Sequence, residues 1–118
     1  MRTKDVLGWR GEALAADFLE DQGMRVVEQN WRCAAGELDI VAVDGDTLVV
    51  AEVKTRSNMD YGHPFEAVTR EKLLRLHRLA RQWAGEHALR LPKRRLDAIA
   101  VLAPRGAAPV IEHLKGIG

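Results

Sequence analysis

Asp39, Glu52 and Lys54 are charged side chains set inside two apolar runs. The first run carries Leu38, Ile40, Val41, Ala42 and Val43; the second carries Leu48, Val49, Val50, Ala51 and Val53. Charged groups are seldom fully buried unless they are paired or hold a metal. Two carboxylates and an amine in such a setting therefore point to a site, either an ion pair or a cation held by oxygen ligands.

The spacing decides whether they meet. Asp44-Gly45-Asp46-Thr47 is a turn signal, so the two runs read as an antiparallel hairpin. With Gly45-Asp46 as a two-residue loop, Asp44 pairs with Thr47, and counting back sets Asp39 opposite Glu52. Side chains alternate faces along a strand, so Lys54 shares the face of Glu52, and Asp39 joins them. Opposed side chains have Cβ atoms roughly 4.5–5.5 Å apart, where like charges repel. Lys54 offsets part of that repulsion. A divalent metal offsets more, and hard oxygen ligands with few protein contacts suit Mg²⁺, with Mn²⁺ the alternative. A one-residue slip, with Asp44 to Asp46 all in the loop, turns Asp39 away. The competing reading is a solvated sheet face with an ordinary acid–lysine pair; the apolar neighbours on both faces argue against it.

Helices must position these strands. Thr3 or Asp5 caps a first helix that ends at Gly23, a C′ residue. Its apolar side carries Leu7, Leu14, Ala15, Phe18 and Leu19, with Glu12 along one edge of the stripe, where a packed stem with a wet head is the plain expectation. Strand-like runs follow at 24–32, 38–43 and 48–53. The segment 57–64 reads as a loop beside the site, with Tyr61 and His63 within it. A second helix is expected over 65–87, burying Leu73, Leu76, Leu79, Ala80 and Trp83, with Lys72 among them and its tip reaching past the core. Arg70, Arg75, Arg78 and Arg81 occupy its other sides. Lys93-Arg94-Arg95 precedes a strand at 96–102, and a last strand spans 110–114. The order α-β-β-β-α-β-β reads as one α/β domain over residues 1–118, a mixed sheet flanked by helices.

Composition frames this reading. The chain has 118 residues, 47% hydrophobic content and a formal net charge of +1, so any nucleic-acid binding must come from local patches. One cysteine, Cys33, excludes an intrachain disulfide. No apolar run is long enough to span a membrane and no signal peptide is visible, so the expected location is the cytoplasm.

Asp39, twelve intervening residues and Glu52-x-Lys54 resemble the PD-(D/E)xK nuclease motif, and Gly36-x-x-Asp39-Ile40-x-Ala42 is similar to its archaeal Holliday-junction resolvase branch. Nearly the whole chain resembles the YraN-like family of small bacterial proteins. The strings that carry this are Gly11-Glu12, Asn30-Trp31-Arg32, Gly36-Glu37-Leu38-Asp39, Glu52-Val53-Lys54-Thr55-Arg56, Lys72 and His113-Leu114-Lys115. No proline precedes Asp39, where the motif's name puts one. The resemblance implies a restriction-endonuclease-like core with the site at one edge of the sheet. It also implies Mg²⁺-dependent hydrolysis of phosphodiester bonds in DNA, with branched DNA as one candidate substrate. Asp39 and Glu52 would hold the metal, with the Val53 carbonyl as a further ligand. Lys54 would orient water or stabilise charge on the phosphate, and Glu12 would close the site. Arg56 and Lys72 would contact nucleic acid. Branched DNA cut symmetrically favours a homodimer. The alternative is a nucleic-acid- or partner-binding module that keeps the fold without cutting.

Overall fold

The computed structural model describes residues 6–60 and 62–118. The expected caps Thr3 and Asp5, and Tyr61, lie outside the described residues. The chain runs α1 (Val6–Asp21), β1 (Arg25–Cys33), β2 (Gly36–Asp44), β3 (Thr47–Arg56), a 3₁₀ turn (Pro64–Ala67), α2 (Arg70–Glu86), β4 (Lys93–Leu102) and β5 (Val110–Lys115). The five strands form one sheet in the order β1-β2-β3-β4-β5. Among the described residues only β3 and β4 pair in parallel, and α2 is the crossover between them.

Each sheet face carries one helix. Ile40, Ala42, Val49, Ala51, Ile99 and Val101 pack with Ala15, Ala16 and Leu19 of α1. Val41, Leu48, Val50 and Leu96 pack with Leu76, Leu79, Ala80 and Trp83 of α2. The central strands are covered on both sides, which is why their sequences run apolar without alternation. Gly23 (φ 93°) ends α1 as expected: Met24 N–H donates to Leu19 O at 3.1 Å and Gly23 N–H to Glu20 O at 3.0 Å, a Schellman closure. Gly45 (φ 61°) sits in the two-residue turn that leaves Asp44 paired with Thr47.

Four expectations are corrected. The second helix does not start at 65. Pro64–Ala67 forms its own 3₁₀ turn, and Thr69 in extended conformation (φ −97°, ψ 165°) caps α2, its side chain accepting from Lys72 N–H at 3.2 Å. The buried stripe of α1 is Gly11, Glu12, Ala15, Ala16 and Leu19, so Glu12 is central to it, at 1% exposure, and its head is not wet. Lys93, Arg94 and Arg95 lie within β4 rather than before it. The acidic pair sits on β2 and β3, and β3 is the middle strand, not a lateral edge.

Candidate functional site

Asp39 and Glu52 come together from neighbouring strands. The β2–β3 ladder runs from Asp44 opposite Thr47 back to Ile40 opposite Ala51. The next position is that of Asp39 and Glu52. There the carboxylate Oδ2 of Asp39 accepts a hydrogen bond from Val53 N–H at 2.9 Å. A side chain thus satisfies a backbone donor at the end of the ladder, and this fixes Asp39 beside Glu52. Both are 7% exposed.

Two amines meet these carboxylates. Lys54 lies two residues along β3 from Glu52, on the same face. Lys72 comes down from the first turn of α2, and its Nζ is 2.6 Å from Glu52 Oε2. The Lys72 charge acts on Lys54, so the two amines share the cleft. All four residues line a cleft of about 240 Å³ between the sheet and α2, with Gly36, Glu37 and Arg75 at its wall.

The charges perturb one another. Burial, and then the neighbouring Asp39, push Glu52 from 4.5 up to about 7, while Lys72 pulls the other way. Burial, and then the Lys72 charge, lower Lys54 below the ordinary lysine value. For Lys72, burial acts to lower the value, but its bond to Glu52 outweighs that and the net shift is upward. The cleft therefore holds a carboxyl that titrates near neutrality beside an amine whose proton is loosened. Such a pair is suited to proton transfer.

The other expected residues fall elsewhere. Glu12 is buried on α1, which covers the sheet face opposite α2, and is not in the wall of this cleft. Its neighbour Gly11 lies so close to β3 that a Cβ there would stand 1.9 Å from Thr55 Oγ1. Arg56 ends β3 and donates to Thr55 O at 3.1 Å, away from the cleft wall. Glu37, unlike these, stands in the cleft wall, and it pairs with Arg32 at 3.1 Å. His63 caps the 3₁₀ turn through Nδ1, which accepts from Phe65 N–H, and its Nε2 is 3.1 Å from Glu112 Oε1. Trp31 is core, at 8% exposure.

Sequence reasoning missed two features. Arg75 stands one helical turn after Lys72, so the spacing of three already placed it on the same rim. Asp97 is a fully buried carboxylate in β4. The rule that singled out Asp39, a charge inside an apolar strand, applies equally to it. Arg95 donates to both its oxygens at 2.8 and 3.1 Å, His113 Nε2 lies 2.7 Å away and Gly116 N–H 3.1 Å. Burial alone would raise Asp97, but Arg95, His113 and the Gly116 amide outweigh it and hold it below the ordinary value. Arg95 also reaches Asp44 at 3.2 Å. This group lies on the α1 face and ties β5 and the β2–β3 turn to β4.

Comparison with known proteins agrees with the resemblance to the YraN-like family. The model for the uncharacterised protein family UPF0102 matches residues 11–101. A UPF0102 protein of Paenarthrobacter aurescens (strain TC1) is 62% identical over 117 residues, which is 99% of this chain and 97% of that protein. Another, from Arthrobacter sp. (strain FB24), is 62% identical over the full length of both. One from Streptomyces griseus is 50% identical over 99% of each. The chain belongs to the UPF0102 family, the YraN-like group.

Proposed function

We propose that this UPF0102 family member is a divalent-metal-dependent nuclease that hydrolyses phosphodiester bonds in DNA. The observation that carries the reading is the meeting of two buried carboxylates, Asp39 and Glu52, with two lysines in one cleft. The donor set fits Mg²⁺ or Mn²⁺: it is all oxygen, with no thiol or imidazole. Among the described residues no three acidic, His or Cys side chains converge as a metal-holding group. Asp39 and Glu52 would thus be the side-chain ligands, with the Val53 carbonyl and water completing the shell, as Mg²⁺ tolerates well. When bound, the metal supplies polarisation of a phosphoryl oxygen and a more acidic water.

The chain's own groups do the rest. Lys54, with its lowered proton affinity, is placed to take a proton from an attacking water or to hold that water in line. Lys72 and Arg75 offer positive charge to the phosphate from α2. Among the described residues no helix is long and apolar enough to cross a membrane. A branched DNA cut at two symmetric points would require a two-fold dimer.

One observation favours a second reading, a binding module without turnover: the 2.6 Å contact lets Lys72 neutralise Glu52 from within the fold. Calorimetric titration of Mg²⁺ and Mn²⁺ into the parent, Asp39→Asn and Glu52→Gln separates the two. The nuclease reading expects binding by the parent and its loss in both variants, followed by metal-dependent cutting of linear, flapped or four-way DNA. No binding at millimolar metal, with DNA present, overturns it.

A further inference from the structure

Lys72 is oddly placed for a helix. With Thr69 as the cap, it is the third residue of α2, where the helix dipole favours an acid and disfavours a cation. Nothing about helix formation asks for a lysine there. Its tip instead contacts Glu52 Oε2, on a carboxylate that a metal at this site would need. The Thr69 cap holds the Lys72 backbone N–H at 3.2 Å, so the anchor is fixed and the movable part is the four-carbon stem. The side chain is 28% exposed, against 8% for Glu52, so a path to the mouth of the cleft is open to the ammonium. A lysine and a divalent ion compete for the same carboxylate charge and repel each other there.

We propose that Lys72 is a tethered cation which holds Glu52 until a divalent metal displaces it, and that displacement delivers its ammonium to the substrate phosphate. This rests on the nuclease reading above. The tether shields the facing carboxylates from each other and from stray cations. Metal entry breaks one ion pair and makes a phosphate-binding charge available, so metal and substrate bind with mutual reinforcement.

The test titrates Mn²⁺ alone by calorimetry into the parent, Lys72→Met, Lys72→Arg and Arg75→Met, with circular dichroism confirming that each is folded. A close, largely buried ion pair of this kind is worth enough that its removal should tighten Mn²⁺ by about tenfold. Lys72→Arg keeps the competing charge and should stay within about threefold of the parent. Arg75→Met removes a charge from the same wall without touching Glu52, and should also stay within about threefold. These bounds are order-of-magnitude expectations for charge without direct contact. In parallel, lysine ammonium NMR of the parent should show the Lys72 signal shifting as metal is added. Unchanged or weaker Mn²⁺ binding in Lys72→Met, or a Lys72 signal indifferent to saturating metal, overturns the proposal while leaving the nuclease reading standing. Binding by Lys72→Met alone, and not by the parent, supports it in its strongest form. Binding by none of the four proteins, and still none when DNA is added, overturns both.

Discussion

Glu52→Gln should change how stability depends on pH, and the sign follows from the cleft. Glu52 titrates at about 7 in the folded chain against an ordinary 4.5, because it is buried and faces Asp39. Between those values the folded protein keeps a proton that the unfolded chain has released. Stability contributed by this group is therefore whole below pH 4.5 and is lost as pH rises through 7. The two values correspond to about 3 kcal/mol. Glutamine keeps the shape of the protonated acid and cannot ionise. Urea unfolding of parent and variant in a chelating buffer, at intervals from pH 4.5 to 8, measures it. Groups common to both proteins cancel in the difference. The parent should lose about 2–3 kcal/mol relative to Glu52→Gln across that window. A difference that stays flat, or moves in the parent's favour as pH rises, refutes the account of Glu52 as a strained, buried carboxyl.

Two further outcomes follow from the packing. Gly11→Ala places a methyl 1.9 Å from Thr55 Oγ1, and the forced separation of α1 from β3 should cost about 2 kcal/mol even after the ~1 kcal/mol that alanine adds to a helix. A denaturation midpoint that rises instead would mean the helix shifts freely. Asp97→Asn removes the charge that Arg95, His113 and Gly116 all address, and should cost about 3 kcal/mol at pH 7. Because Asp97 is held below its ordinary value near 3.8, its contribution is present above that pH and fades as pH falls below it; the variant's deficit should shrink there, and a pH-independent deficit would contradict this.

The hairpin was legible because its information is local. Asp44-Gly45-Asp46-Thr47 fixes the turn, and strict alternation then carries the register back to Asp39 and Glu52. The end of α1 was legible for the same reason, since Gly23 closes it by its own conformation. The start of α2 was not. Phe65 continues the apolar period, and only the extended backbone at Val68 and Thr69 separates the 3₁₀ turn from the helix. Glu12 was misplaced because Leu7, Leu14 and Phe18 outrank Gly11, Ala15 and Ala16 in hydrophobicity. The small residues are the ones that let the helix approach the sheet, so the line of closest contact runs through them and through Glu12. The Lys72–Glu52 contact joins residues twenty positions apart through tertiary packing, and no spacing rule reaches it.

The parallel pairing of β3 with β4 has a consequence for the order in which this chain folds. Asp44 meets Thr47 across a two-residue turn, whereas Thr47 meets Lys93 only after 46 positions of chain, α2 included, have folded back. Closing the short loop is far faster than closing the long one. The two carboxylates are therefore brought face to face early, and Lys72 arrives late, with the crossover. Removing Lys72 should accordingly speed unfolding and leave the refolding rate nearly unchanged; a slower refolding limb for Lys72→Met would place α2 in the nucleus. The nascent hairpin must carry Asp39 and Glu52 unaided, and it does so most easily where Glu52 is still protonated.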